Sequence, residues 1–152
     1  VTDTLYRGAQ PDAEGFRQLE KLGVETVVNL RLLHPDSELV AGTRLLVVPI
    51  PAEAWEVDGD EVVEFLKVTT DPARVPVFVH CQHGADRTGT MVAAYRIVVQ
   101  GWDKEEAIRE MTEGGFNFHR LFINLPRYLR GMDVAKIRRE AGINAPVNER
   151  GH

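Results

Sequence analysis

One cysteine is all this chain contains, which excludes an internal disulfide framework in any compartment. It also leaves an oxidised Cys81 no resolving thiol within the chain. No apolar run approaches the ~20 residues that a membrane-spanning helix needs. Positive charge is in deficit: 18 Lys and Arg stand against 23 Asp and Glu, a net charge of −5. That balance argues against nucleic acid or an anionic membrane as the main partner. Internal repeats and low-complexity tracts are missing too. What is present fits an ordinary globular protein, with 43% hydrophobic and 27% charged residues in a chain of 152. That length suits one domain with a full core, placed over residues 1–143. Residues 144–152 show no packing pattern and read as a frayed tail. The first residue is Val1 and not methionine, so the expected compartment is the cytoplasm or, with a leader removed, the periplasm.

The lone cysteine sits in the stretch around which the rest is organised, Val77-Phe78-Val79-His80-Cys81-Gln82-His83-Gly84-Ala85-Asp86-Arg87-Thr88-Gly89-Thr90. An uncharged apolar run precedes it, and Met91 to Val99 behind it is apolar enough for a buried helix. The order is therefore strand, tight loop, helix. Such a loop turns backbone N–H groups inward, and the helix N-terminus adds partial positive charge at the same point. The result is an anion cradle. Gly84 lets the backbone turn closely around a ligand, and Arg87 offers a planar fork that matches two phosphate oxygens. A cysteine facing this cradle is expected to drop from ~8.5 into a range of roughly 3.5–7.5 and to be a thiolate at neutral pH. Beside a bound phosphate it is a nucleophile in line with phosphorus.

Elsewhere the chain alternates strands and helices. Leu5-Tyr6-Arg7 reads as a short edge strand closed by Gly8. A helix follows with Asp12 as N-cap, with Phe16, Leu19 and Leu22 on one face and Gly23 just past its end. Val24 to Leu30 and Leu45 to Ile50 read as buried strands, separated by a polar loop from Arg31 to Gly42. A helix begins near Gly59, with Asp58 and Glu61 as a capping box, and carries Val62, Val63, Phe65 and Leu66 on its apolar face. The next helix is expected to open at Thr88. Asp103 and Glu106 form a second box, for a helix that ends near Gly114-Gly115. Asn117 to Leu129 is helical in character with a break near Pro126, and Met132 to Gly142 forms a last basic helix. The fold class is α/β: a short, largely parallel twisted sheet of about four or five strands, flanked by helices, with the cysteine loop between a central strand and a helix. In such folds ligands bind beyond the carboxyl ends of the strands, where His80-Cys81 falls.

His80-Cys81-(82–86)-Arg87-Thr88-Gly89 resembles the active-site signature of the cysteine-dependent protein tyrosine phosphatases. Tyr6-Arg7-Gly8-Ala9-Gln10-Pro11 and Gly114-Gly115-Phe116 are similar to segments of the small bacterial dual-specificity-type members. The resemblance implies a phosphatase fold and hydrolysis of phosphate monoesters on protein through a phosphocysteine. Phosphotyrosine is the chief expected substrate, with phosphoserine and phosphothreonine beside it. It gives Thr88 a hydrogen bond to the Cys81 sulfur as leaving thiolate, next to its plainer reading as a helix N-cap. It gives His80 a structural hydrogen-bonding role, ahead of an ion pair with Cys81. Gln82, His83, Gly84, Ala85, Asp86 and Arg87 are then the phosphate-binding loop, and Gly84 and Gly89 are read as backbone permissions. Taken without that context, Cys81 would be a small buried hydrophobe and Arg87 a solvated surface charge.

The reaction needs a general acid for the leaving oxygen, later a base for water. The family supplies an aspartate from a loop upstream of the cysteine, which here spans residues 51–58. Glu53, 28 residues ahead of Cys81, falls nearest the expected place, although a glutamate departs from the family pattern. Asp58 comes second, because capping competes for it, and Glu56 third. Trp55 in the same loop is read as a wall of the pocket in preference to a core anchor. No metal or other cofactor is required, since the cradle and Arg87 supply the positive charge. His80, Cys81 and His83 do not have zinc-ligand spacing.

Gln82, Ala85 and Asp86 bring no lysine to the loop, and Asp86 would repel a highly charged inositol head. Phosphoprotein is therefore favoured over lipid or inositol phosphates, with phosphate and vanadate as expected inhibitory oxyanions. His83 keeps a polynucleotide 5′-triphosphatase as an alternative, since a histidine at that place also occurs in those relatives. A non-catalytic phosphate-binding module is the rival from another class. A sulfurtransferase would need no loop acid, and its loop rarely ends in Arg-Thr-Gly. A thiol-relay arsenate reductase needs further cysteines. Arg127, Arg130, Lys136, Arg138 and Arg139 read as a solvated basic surface in preference to a docking face.

Overall fold

The computed structural model describes residues 1–53, 59–82, 84–115 and 123–143. Four short strands, β1 (Leu5–Gly8), β2 (Thr26–Asn29), β3 (Leu46–Pro49) and β4 (Val77–His80), form one sheet in the order β1-β4-β2-β3. Every pairing is parallel. The register aligns Gly8 with His80, His80 with Asn29 and Asn29 with Pro49, so all four strands end in one row. β2 and β4 are the inner strands and are buried throughout, as the absence of alternation in their sequences implies.

The described helices are α1 (Ala13–Lys21), α2 (Gly59–Thr69), α3 (Asp86–Val98), α4 (Lys104–Glu113), α5 (Asn124–Gly131) and α6 (Val134–Glu140). The pleat sends alternate strand residues to opposite faces. Val27 and Phe78 pack with Phe16 of α1 on one face. Leu5, Val28, Val77 and Val79 pack on the other with Phe65 of α2, Met91 and Val92 of α3, and Met111 of α4. α1 therefore covers one face and α2 to α4 the other. The helix after β1 and the helix after β4 leave these adjacent strands on opposite faces. That opens the crevice at the strand ends where open α/β sheets hold ligands.

Several local expectations need correction. β3 is an edge strand with Leu46 52% exposed, because among the described residues nothing pairs along its outer side. Leu22 is 68% exposed: it is the C-cap residue of α1, beyond the stripe that Phe16 buries. α3 opens two residues earlier than Thr88, at Asp86, with Ala85 in the N-cap position. Pro126 lies in the first turn of α5, where a missing N–H costs nothing, in keeping with the restart expected there; residues 117–122, on which the expected break depends, are outside the described residues. Asp12, Asp103 and Asp133 cap α1, α4 and α6 as side-chain acceptors. Asp58, the expected cap of α2, is outside the described residues, as are Phe116 and the 144–152 tail.

Candidate active site

β4 delivers Cys81 to the crevice and α3 begins five residues later. Ala85 makes no side-chain capping bond, so the N–H groups of the first turn are left to other acceptors. Cys81 is 2% exposed, and burial alone would push its thiol up. The Thr88 hydroxyl opposes this, donating to Sγ at 3.1 Å. The backbone N–H groups of Thr88 and Gly84 and the charge of Arg87 act the same way, and together they bring the thiol below its ordinary value. Hydrogen bonds to the charged form thus outweigh desolvation. The Arg87 guanidinium is turned toward the end of the sheet, with NH1 3.3 Å from the Ala52 carbonyl and 3.5 Å from that of Leu30.

His80 does not pair with the thiol. Its ring lies on the α1 face, 6.1 Å from the Phe16 ring and 6.0 Å from that of Phe78. Nδ1 is 3.1 Å from the Cys81 carbonyl and Nε2 is 2.6 Å from Oδ2 of Asp36. Asp36 is itself 1% exposed and accepts from Nε2 of Gln10 at 2.9 Å. Gln10 in turn accepts from Arg31 at 2.9 Å. A chain of polar contacts thus runs from the loop between β2 and β3, through His80, to the backbone of the nucleophile. Asn29 shapes that loop, accepting from Arg31 N–H at 2.9 Å and donating to the His34 carbonyl at 2.8 Å.

The two glycines have different reasons. Gly84 has φ of +72°, and a Cβ there would sit 2.7 Å from the Gly8 backbone. The close approach seen here is to the end of β1 and Ala9. Gly89 lies within α3, where a Cβ would meet Met111 at 3.1 Å; it needs room against α4 and no special dihedral. Ala85 is buried, and Asp86 is 9% exposed in the first turn of α3. Gln82 is exposed, and its carbonyl accepts from Gln10 N–H at 3.1 Å. Glu53 is exposed and directly follows Ala52, the residue whose carbonyl faces Arg87. His83, Asp58, Glu56 and Trp55 lie outside the described residues.

The structure therefore brings together Cys81, Thr88, Gly84 and Arg87, with Ala52, the residue before Glu53, facing Arg87. Sequence reasoning missed Arg7, Gln10, Asn29, Arg31 and Asp36. The Tyr6-to-Pro11 segment carried a signal for Arg7 and Gln10; nothing local marks Asp36, which meets His80 across 44 positions of chain.

Residues 2–121 match the family model described as a DSP-PTPase phosphatase fused to NAD+ kinase. The chain is 40% identical over 139 residues to the dual specificity protein phosphatase TpbA of Pseudomonas aeruginosa, covering 91% of this chain and 63% of the relative. It thus spans somewhat less than two thirds of that protein's length. The crystal structure of P. aeruginosa TpbA in complex with phosphotyrosine superposes with a TM-score of 0.81 at 38% identity, over 95% of this chain and 88% of that one. The catalytic core of the Saccharomyces cerevisiae PP-IP phosphatase Siw14 shares the fold, with a TM-score of 0.80 at 21% identity over 97% and 93% of the two chains.

Proposed function

The chain belongs to the DSP-PTPase family of cysteine phosphatases, and from that premise we propose that it hydrolyses phosphate monoesters on protein. Phosphotyrosine is the chief substrate, with phosphoserine and phosphothreonine beside it. The observation that carries the reading is the buried Cys81 thiol, lowered by the Thr88 hydroxyl and by N–H groups at the start of α3, with Arg87 beside it.

In the first step the Cys81 thiolate attacks phosphorus in line. Arg87 and the loop N–H groups hold the equatorial oxygens as charge moves onto them. The P–O bond to the substrate breaks, and Glu53 protonates the leaving oxygen. In the second step Glu53, now a carboxylate, takes a proton from water. That water attacks the phosphocysteine, and Cys81 leaves as a thiolate stabilised by Thr88. Glu53 is favoured by its exposure and by its place after Ala52.

Two points support a protein substrate. The loop carries Asp86 and no lysine, and TpbA, with its phosphotyrosine complex, is the relative at 40% identity. The likeness to Siw14 is one of fold alone and does not move the choice toward inositol phosphates.

The test is hydrolysis of p-nitrophenyl phosphate and of a phosphotyrosine peptide in EDTA, by wild type, Cys81→Ser and Glu53→Gln. Wild-type turnover is expected to persist in EDTA and to vanish in Cys81→Ser. Glu53→Gln should lower kcat by about 10²–10⁴, the usual contribution of a general acid. Full activity in Cys81→Ser would refute the phosphocysteine mechanism. An inactive wild type that still binds vanadate would instead mark a phosphate-binding module.

A further inference from the structure

Two carbonyls in the described part of the cysteine loop accept hydrogen bonds from β1 and the segment after it, and a third lies against the ring of the preceding histidine. The Cys81 carbonyl faces Nδ1 of His80, the Gln82 carbonyl accepts from Gln10 N–H, and the Gly84 carbonyl accepts from the Arg7 guanidinium at 2.7 Å. In a trans peptide the C=O and the following N–H point opposite ways. A donor that fixes the Gly84 carbonyl outward therefore fixes the Ala85 N–H toward the anion side of the loop.

We propose that Arg7 is a positioning residue of this centre: from β1 it pins the Gly84–Ala85 peptide and holds a second fixed positive charge behind Cys81. The proposal deepens the phosphatase reading and rests on it. The contact is built into the fold. Arg7 is the third residue of β1 and pairs with Val79 of β4, two residues before Cys81. It projects to the face that carries α3 and α4, where its NH2 would be 3.7 Å from a Cβ on Gly89. Gly84 sits against Gly8 and Ala9 so closely that no side chain fits between them. The loop is thus seated on β1 while Arg7 holds its far carbonyl.

Burial lowers the Arg7 guanidinium from its ordinary value; the charges of Glu110 and Cys81 oppose this and Arg96 adds to it. The side chain stays a cation in all working conditions. The charged groups facing it are Glu110 of α4, Arg96 of α3, Cys81 and the amino group of Val1. Those near Cys81 are Arg7 and Arg87, with His80 and Asp36 on the opposite face. Glu110 is held in a two-point pair by Arg96, at 3.1 Å for each bond.

Three readouts test this in Arg7→Met and Arg7→Lys: the pH midpoint of Cys81 alkylation by iodoacetamide, vanadate affinity, and kcat and KM on p-nitrophenyl phosphate. Arg7→Met keeps the apolar stem and loses both fork and charge. It should move the alkylation midpoint to higher pH and weaken vanadate binding by about ten- to a hundredfold, the scale of a charge-assisted hydrogen bond. kcat/KM should fall to match. Arg7→Lys keeps a charge without the fork, so the midpoint should return toward wild type while the vanadate loss persists. A residue serving stability alone would lower Tm and leave the midpoint in place. A wild-type midpoint and vanadate affinity in Arg7→Met would overturn the proposal. Should Arg7→Met fail to fold, wild-type vanadate affinity in Arg7→Lys would overturn it equally. Alkylation and vanadate binding need no turnover. A wild type without activity would therefore refute the phosphatase reading while these two readouts still judge Arg7.

Discussion

A thiol buried as deeply as Cys81 is governed by the groups that touch it. Thr88 is the side chain in direct hydrogen-bonding contact with its sulfur, at 3.1 Å. The hydroxyl stabilises the thiolate, so removing it must raise the pKa. Thr88→Val keeps the shape and loses the donor. Its alkylation midpoint should move to higher pH, and the acidic limb of the kcat/KM profile should move with it. Breakdown of the phosphocysteine should also slow, since the same donor stabilises the leaving sulfur, and a phosphorylated enzyme should accumulate in rapid-quench experiments. An unchanged midpoint would show that the backbone N–H groups and Arg87 suffice without Thr88. At this scale the chemistry is legible in sequence because Cys81, Arg87 and Thr88 lie within one loop and one helical turn, where spacing dictates geometry. Arg7 was marked only by the Tyr6-to-Pro11 segment, and Asp36 by nothing local. They reach the loop across 77 and 44 positions of chain, and only the strand order sets such contacts.

The segment between β2 and β3 has no helix of its own, yet it joins two adjacent parallel strands that ordinarily need a long crossover. Side-chain hydrogen bonds hold it in place. Asn29 clamps its start, and Asp36 is buried against His80 and Gln10. Leu33 takes φ of +56° with its side chain 96% exposed, a costly conformation for a bulky residue. Asp36→Ala removes the partner of Nε2 on the fully buried His80. The expected loss is about 1–3 kcal/mol by urea denaturation. Asp36→Asn can donate to Nε2 while His80 Nδ1–H keeps the Cys81 carbonyl, and its oxygen can still accept from Gln10. It should therefore retain most of the stability. Equal losses in the two variants would show that charge, and not hydrogen bonding, matters at this contact. The segment reads as an ordinary polar loop because its one buried acid carries no local mark of burial. The start of α3 was misplaced for a related reason: Thr88 is a good N-cap by residue type, but its hydroxyl is engaged by sulfur inside the first turn.

The whole molecule converges on one end of its sheet. Four parallel strands finish in one row, β1 and β4 send their following helices to opposite faces, and Cys81 follows the end of β4 there. The alternation of strands and helices made the α/β class readable, and with it the place of the candidate site at the strand ends. The edge position of β3 was not, because an apolar run is the same whether one side or both are paired. A site assembled from β1, β4, α3 and the β2–β3 segment links anion binding to the stability of the entire fold, since an unfolded chain offers no cradle. Ligand at a hundred times its Kd contributes about 2.7 kcal/mol. For a protein of this size each kcal/mol moves Tm by roughly 2–4 °C. Saturating vanadate should therefore raise the wild-type Tm by about 5–10 °C. Arg87→Ala, which removes the fork, should lose most of that shift while starting from a Tm close to wild type, because among the described residues Arg87 makes long contacts to the Ala52 and Leu30 carbonyls. Retention of the full shift in Arg87→Ala would mean that backbone N–H groups alone bind the oxyanion. The fork would then have no share in ground-state binding, and its contribution would have to be sought in kcat.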